Sequence, residues 1–318
     1  MFFSTTASVG ATLALGASQT KPQPAAVTRQ KRIKLGIASY SYWHFRGPKV
    51  PIETVIEKAG EMGLAEVDVL HRQMDLPERE PLTASHRAYL RRLKQHAFRN
   101  GVALASVSIH QNFVHPDAEE RQRQVEHTHK CFEIAYELGA PCLRINSGRW
   151  NTIQDFDELM KARGLEPVLP GYTEDDGFKW CIECMEKCVP KAEECGVVMA
   201  MENHWGLSRT PEGQLRIINA VASPWLGALM DTGNFMEDPY DKLKQIAPKT
   251  VYVHCKTYYG GGEWYTLDLD YPRIVRILED AGYGGYVSLE YEGKEAADTA
   301  VPKSIALLRR AFYGPSTS

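Results

Sequence analysis

The sequence lacks the charge excess and the long apolar run that mark two common classes of protein. Its 37 Lys and Arg against 40 Asp and Glu give a formal net charge of −3 at pH 7. Nucleic acids and anionic membranes attract strongly basic proteins, so neither is expected as a partner. The apolar stretch near the N-terminus is too short and too rich in Ser and Thr to span a bilayer, which takes about 20 apolar residues.

Two cofactor motifs are also missing. No Gly-x-Gly-x-x-Gly follows the first predicted strand, so the signature of a dinucleotide-binding fold is absent. The cysteines number seven, and the Cys-x-x-Cys at 181–184 has no second pair, which argues against a four-cysteine zinc site. Cys181, Cys184, Cys188 and Cys195 instead recur at the spacing of one helix face, which favours buried free thiols.

Residues 1–30 differ in composition from the rest of the chain. They are small and apolar, then rich in Ala and Pro, with no charge before Lys21. This pattern is typical of the apolar region and tail of an export signal, although a basic start is missing. Two interpretations stay open: a leader that sends the protein to the periplasm, or a disordered leader on a cytoplasmic protein.

From residue 31 to residue 314, short apolar runs alternate with amphipathic helical patterns. Each run has the length of a strand, and most are continuously apolar, as parallel strands covered on both faces should be. The predicted strands are 33–38, 65–70, 102–109, 141–145, 197–202, 226–230, 250–254 and 285–290. Eight strands, each followed by a helix, predict an α/β fold, a single-domain (β/α)₈ TIM barrel. The long connection at 148–170 is expected to lie over the mouth of the barrel.

Carboxylates stand at the ends of several predicted strands, where such a barrel builds its active site. Glu202, Asp231 and Glu290 each follow an apolar run, and their burial is costly unless something compensates for it. Converging carboxylates repel one another unless a cation lies among them. Together with the imidazole of His254, they form an oxygen and nitrogen ligand set for one divalent metal: Mn²⁺, Mg²⁺, Co²⁺ or Zn²⁺.

Each of these residues also has a structural interpretation when taken alone. His254 could be a hydrogen-bonded strand residue, and Asp231 could cap the Thr-Gly-Asn turn that follows it. All four residues fall at the ends of consecutive strands, from the fifth to the eighth. That arrangement favours a shared metal over four separate structural roles.

Four segments together resemble the xylose isomerase-like barrel superfamily, in its sugar phosphate isomerase/epimerase branch. They are MENHWG (201–206), MDTGNF (230–235), VYVHCKTYY (251–259) and VSLEYEG (287–293). The resemblance covers roughly residues 33–312 and implies the same four metal ligands, Glu202, Asp231, His254 and Glu290. The chain departs from the family's pattern at Asn234 and at Thr257, where the family often has His and Asp. These departures and the net charge disfavour the branch of zinc-dependent abasic-site endonucleases.

The resemblance also implies a reaction. Glu202 and Glu290 match the two acid/base carboxylates of the family, which move a proton next to a carbonyl while the metal stabilises the enediolate. We therefore predict a divalent-metal-dependent isomerase or epimerase of a small sugar or polyol derivative. A keto-sugar or keto-glycoside lyase or dehydratase that uses the same enolisation is an alternative, and a non-catalytic sugar-binding barrel is another.

Further polar residues at the strand ends are predicted to bind a small carbohydrate substrate. They are His71, His110, Arg144, Asn146, His204, Asn234 and Lys256. For the first two, a core position is the competing interpretation. Trp43, Trp150 and Trp205 either stack on the sugar or pack in the fold. A homo-oligomer stays open, because no interface can be identified from the sequence.

Overall fold

The computed structural model describes Met1 and residues 33–314. The predicted leader at 1–30 therefore lies outside the described residues, apart from Met1, and stays a prediction. Among the helices of the described part, none combines the length and the apolar character that crossing a membrane requires.

Eight parallel strands close into a barrel in which each strand pairs with the next and the last pairs with the first. They are β1 (Lys34–Ala38), β2 (Glu66–Leu70), β3 (Ala103–Ser108), β4 (Cys142–Ile145), β5 (Val198–Glu202), β6 (Leu226–Asp231), β7 (Thr250–Thr257) and β8 (Tyr286–Tyr291). The predicted single-domain TIM barrel is confirmed. β7 runs three residues further than predicted, so that Lys256 belongs to the strand itself.

Helices follow the strands and surround the barrel. Within residues 33–314 they are α1 (Ile52–Glu61), α2 (Ala84–Arg99), α3 (Ala118–Leu138), α4 (Phe156–Lys161), α5 (Glu174–Cys195), α6 (Pro211–Val221), α7 (Tyr240–Ile246), α8 (Tyr271–Asp280) and α9 (Ala297–Tyr313). All were predicted except α4, which lies inside the long connection at 148–170. That connection was expected to be irregular throughout.

Local signals explain where the long helices begin and end. The side chain of Asp117 caps α3 by accepting from the backbone N–H of Glu119 at 2.9 Å. Thr173 begins α5 with a capping box. Gly139 and Gly196 end these two helices in the left-handed conformation, with φ of 75° and 65°, which costs glycine little. These ends turn the chain directly into β4 and β5.

The predicted buried face of cysteines lies on α5. Cys181, Cys184 and Cys188 are buried in the apolar layer between barrel and helices, as predicted. Cys195, at the end of the helix, is partly exposed. The seven cysteines, all within the described residues, are free thiols.

A buried polar network fills part of the barrel interior. Glu66 on β2 accepts a hydrogen bond from the hydroxyl of Tyr252 at 2.8 Å and another from the hydroxyl of Ser288. Burial raises the pKa of Glu66 from 4.5 to about 8. Gly36 on β1 leaves the room for this side chain, because a Cβ there would overlap the Glu66 carboxyl group. Barrel closure therefore encloses an acidic group that the sequence analysis did not single out.

Candidate metal centre

The four predicted metal ligands come together at one end of the barrel. Glu202, Asp231, His254 and Glu290 lie at or near the ends of β5, β6, β7 and β8, and all four are buried. One ligand atom from each residue lies within 4.8 Å of the others. The parallel register pairs Asp231 directly with His254, which fixes these two side chains next to each other.

Asn203 holds the ends of β5 and β6 together. Its side-chain oxygen accepts from the N–H of Asp231 at 2.7 Å, and its side-chain nitrogen donates to the carbonyl of Asp231 at 2.9 Å. This pair of bonds continues the sheet ladder one residue beyond Glu202. It therefore places the carboxylates of Glu202 and Asp231 against each other.

Within residues 33–314, only one carboxylate oxygen of Asp231 accepts hydrogen bonds. Oδ1 accepts from the N–H groups of Gly233 and Asn234 at 2.8 and 2.9 Å, so the predicted cap of the turn is present. Oδ2 is buried and has no hydrogen-bond donor among residues 33–314. Burial and the carboxylates of Glu290 and Glu202 raise the pKa of Asp231 well above its usual range, despite the nearby Lys256. The orphaned oxygen fits a cation that would restore its charged form.

Glu202 is held in its charged form by its neighbours. Its Oε2 accepts from the guanidinium of Arg144, and its Oε1 lies 3.2 Å from Nδ1 of His254. Burial alone would raise the pKa of Glu202, but Arg144 and His254 outweigh burial and lower it well below its usual range. Glu202 can therefore bind a cation or accept a proton at neutral pH.

Glu290 has an equivalent arrangement with Lys256. The ammonium group lies 2.8 Å from Glu290 Oε2, 3.2 Å from Glu292 Oε2 and 3.7 Å from Asp231 Oδ2. Lys256 and His254 outweigh burial and lower the pKa of Glu290 to about 2. Lys256 thus offsets part of the negative charge of Glu290, Glu292 and Asp231.

The ring of His254 is oriented by a residue that the sequence analysis missed. Its Nδ1 faces Glu202 at 3.2 Å and Glu290 at 3.6 Å, while its Nε2 lies 3.2 Å from Oδ2 of Asp68. Asp68 in turn accepts from Ser108 at 2.6 Å. A histidine that ligates a metal through one nitrogen usually donates from the other to such a carboxylate. The sequence feature that could have identified Asp68 is an acidic residue between two valines in the strand Glu66–Leu70.

A cavity of about 460 Å³ opens at the edge of this site, and of the four candidate ligands Glu290 lines it. Of the seven residues predicted to bind substrate, His110, Arg144, His204 and Lys256 line it. Burial lowers the pKa of both histidines, that of His204 to about 3, so both rings are neutral at pH 7. These four residues therefore offer two cationic and two neutral groups for hydrogen bonds to a substrate.

The other three predicted substrate residues are not among those that line this cavity. His71 is buried against His127, with ring centroids 5.5 Å apart. The backbone of Asn146 bonds the side chain of Gln111, and the side chain of Asn234 accepts from Tyr265. These three residues follow strand ends, as expected from the sequence. Their role in substrate binding stays a prediction.

Several further residues that line the cavity were not among the predicted substrate-binding residues, and they lie in loops, in short turns after the strands and at the start of α4. They include Tyr40, Phe45, Arg72, Phe156, Trp264 and Glu292. Of the three tryptophans considered from the sequence, Trp205 lines the cavity, while Trp150 packs against Trp180 and Trp43 lies outside the lining. Loop residues could not be assigned to the cavity from strand patterns, because their positions depend on how the loops fold over the mouth.

Fold and site together define a closed (β/α)₈ barrel with a carboxylate and histidine cluster buried at its mouth. The chain belongs to the xylose isomerase-like TIM barrel family, whose model matches residues 56–311.

Individual similarities are more distant. A mannonate dehydratase from Geobacillus thermodenitrificans is 25% identical over 155 residues, which are 41% of this chain and 42% of that protein. The chain thus matches less than half the length of the curated relatives found. A D-psicose 3-epimerase from Clostridium cellulolyticum H10 shares the fold, with a TM-score of 0.69 and 16% identity over 88% of this chain and 99% of that chain. A 3-keto-D-glucoside 4-epimerase from E. coli also shares the fold, with a TM-score of 0.67 and 16% identity over 87% of this chain and 99% of that chain.

Proposed function

We propose that the protein is a divalent-metal-dependent isomerase or epimerase of a small sugar or polyol derivative. The observation that carries the proposal is the buried set Glu202, Asp231, His254 and Glu290 beside a cavity of about 460 Å³. This volume lies in the usual range of small-molecule sites, about 300–1,000 Å³. Mn²⁺, Mg²⁺, Co²⁺ and Zn²⁺ all accept such a mixed oxygen and nitrogen ligand set.

The residues present fit proton transfer next to a carbonyl. A bound divalent ion would supply the positive charge that stabilises a substrate oxygen while its neighbouring carbon loses a proton. Glu202 and Glu290 both have lowered pKa values, so both are ionised and able to accept a proton at neutral pH. One carboxylate removes the proton from the carbon. The other, after taking a proton from solvent, returns it to the opposite face, and the first releases its proton to solvent, so that no net proton is gained or lost.

The walls of the cavity suit a neutral sugar. Arg144 and Lys256 donate hydrogen bonds that hydroxyl and carbonyl oxygens can accept, while the neutral rings of His110 and His204 can donate or accept. The aromatic side chains of Trp205 and Trp264 line the same cavity. Sugar epimerases among the proteins of similar fold support this substrate class. If residues 1–30 are an export signal, a free or oxidised sugar fits better than a sugar phosphate.

A lyase or dehydratase acting on a keto-sugar or keto-glycoside is the second candidate. The same proton removal leaves a carbanion that can expel a substituent from the next carbon, and the mannonate dehydratase relative supports this chemistry. A non-catalytic sugar-binding barrel is the third candidate. The complete ligand set argues against it, because binding alone does not require three buried carboxylates around one histidine.

The test is metal analysis combined with isotope exchange. The wild-type protein and the double variant Glu202→Gln/His254→Ala are compared for metal content, and each is incubated with a panel of keto-sugars in D₂O. We expect one equivalent of metal to be lost in the double variant, and deuterium to enter a carbon next to the carbonyl only with the wild type. The matched control is Glu57→Gln/His96→Ala, which removes a Glu–His pair on the helical surface.

Each result separates the candidates. Deuterium incorporation with interconverted epimers and no lost group supports the isomerase or epimerase. Exchange accompanied by release of water or an alcohol supports the lyase. Sugar binding without exchange in the metal-loaded protein supports the binding barrel. Equal metal content in wild type and double variant contradicts the proposed metal centre.

A further inference from the structure

A second group of metal-binding side chains lies outside the mouth cavity. His71 follows β2, while His127 and Cys131 are one helical turn apart on α3. One ligand atom from each residue lies within 4.8 Å of the others. The Sγ of Cys131 is 3.7 Å from Nε2 of His127. A tetrahedral zinc ion with ordinary bond lengths would separate a sulfur and a nitrogen ligand by about 3.6 Å.

The proton on His127 is placed by the backbone. Its Nδ1 lies 3.0 Å from the carbonyl oxygen of Glu78, which can only accept a hydrogen bond. Nδ1 therefore carries the proton, and in the neutral ring Nε2 directs its lone pair toward Cys131. This is the arrangement in which metal-ligating histidines are usually held, with the second nitrogen donating to a carbonyl or carboxylate.

His71 adds a nitrogen that the protein does not satisfy. The residue is 2% exposed, and its Nε2 has no hydrogen-bond partner in the part of the chain that the structure describes. Among residues 33–314 nothing competes for this nitrogen, so in the tautomer that leaves Nε2 unprotonated its lone pair is available to a metal ion.

The charges nearby select the kind of ion. Lys130 donates to the carbonyls of Pro77, Glu78 and Glu80 beside this group, and Arg72 follows His71 in the chain. These cations repel a divalent ion such as Mg²⁺ or Ca²⁺, because its two positive charges would not be reduced by a thiolate ligand. An ion that forms a thiolate with Cys131 carries one positive charge less, so thiophilic metals are favoured over Mg²⁺ or Ca²⁺.

We propose that His71, His127 and Cys131 form a second metal site, specific for a thiophilic divalent ion of the zinc type. On binding, Cys131 forms the metal–sulfur bond and releases its proton to solvent. His127 also lines a second cavity of about 630 Å³, from which water can supply the fourth ligand. Since Arg72 lines the mouth cavity as well, the ion would fix a segment of the mouth to α3.

The test uses Co²⁺ as a spectroscopic probe of the full-length protein. Cobalt bound to a thiolate gives a charge-transfer band in the near ultraviolet, which the sulfur-free centre at Glu202 and His254 cannot give. We expect this band on titration of the wild type with two equivalents of Co²⁺. It should disappear in Cys131→Ser and remain in Cys184→Ser, which changes another buried thiol. Zn²⁺ should displace the cobalt.

A second measurement tests the site without changing the cysteine, in case Cys131→Ser does not fold. His71→Asn and His127→Gln keep the thiol, and each should weaken Zn²⁺ binding by at least about tenfold while circular dichroism stays unchanged. A wild type without a thiolate band, or a band that survives in Cys131→Ser, overturns the proposal. In that case Cys131 simply donates an S–H hydrogen bond to His127, and His71 is a core histidine.

Discussion

Asp68 lies in the middle of an apolar strand, yet it orients the histidine of the candidate metal centre. Its Oδ2 faces Nε2 of His254 at 3.2 Å, and Ser108 holds the carboxylate in place at 2.6 Å. With Nε2 facing this carboxylate, Nδ1 of the ring is directed toward Glu202 and Glu290. Asp68 is not a proposed metal ligand, yet it determines which nitrogen of His254 can bind the metal.

The change Asp68→Asn tests this orientation. The amide has the same shape but lacks the charge that polarises the imidazole, so we expect metal affinity to fall by about 10- to 100-fold. Affinity is measured by competition with a chelator, and circular dichroism checks that the fold is retained. Asp175→Asn, at the exposed start of α5, is the control and should bind like the wild type. Equal affinities in the two variants would contradict the orienting role.

The short helix α4 shows what a single element contributes to the mouth. Asp155 begins it by accepting from the N–H of Glu158 at 2.9 Å. The helix then brings Phe156 against Trp205 and Trp264, with ring centroids 6.0 and 5.0 Å apart. Trp264 also donates to Asp157 at 3.1 Å. The connection between β4 and α5 thus covers the mouth, as the sequence predicted, and adds an aromatic wall.

Trp264→Ala tests whether this wall binds substrate. The loss of one aromatic face, worth about 1–1.5 kcal/mol, should raise KM about five- to tenfold for the sugar that shows exchange in D₂O. A smaller change is expected in kcat, because Trp264 is not one of the groups proposed to transfer the proton. The comparison is Trp225→Ala, which lies just before β6 and outside the cavity lining. If KM is unchanged in Trp264→Ala, the aromatic wall does not contact the substrate.

Closure of the whole barrel buries Glu66 between β2, β7 and β8. Its carboxyl group accepts from Tyr252 and Ser288, which lie on strands distant in sequence. Because burial raises its pKa to about 8, the folded protein holds this group protonated, whereas the unfolded chain releases the proton near pH 4.5. Its contribution to stability is complete below pH 4.5 and is lost as the pH rises toward 8.

Glu66→Gln should reduce the pH dependence of the free energy of unfolding between pH 5 and pH 8. The amide stays neutral at every pH, so the free energy of unfolding should change less between pH 5 and pH 8 than in the wild type. The expected difference is on the order of a few kcal/mol. Urea unfolding at several pH values measures it, with Glu212→Gln at the exposed start of α6 as the reference. Parallel pH profiles for wild type and Glu66→Gln would contradict a raised pKa.

Local sequence patterns were enough to predict the order of the elements and the four candidate ligands. Strand and helix periodicity arises from neighbouring residues, and helix ends follow local caps such as Thr173 and Gly196, so most elements were predicted to within a few residues. A carboxylate or imidazole at the end of an apolar strand can be recognised in the sequence alone. This pattern identified Glu202, Asp231, His254 and Glu290. Their chemistry indicated a cation before any contact was known.

Which polar groups face one another could not be predicted from local patterns, because it depends on how distant segments pack together. Asp68 meets His254 because barrel closure places β2 across from β7, a relation that no local pattern contains. His71 was expected at the mouth, but the short turn after β2 buries it against α3. The direction in which a side chain points at the mouth of the barrel depends on how its loop leaves the strand and on which residues pack above that loop. Strand-end position is therefore set by local sequence, whereas the partners of each side chain are set by long-range packing.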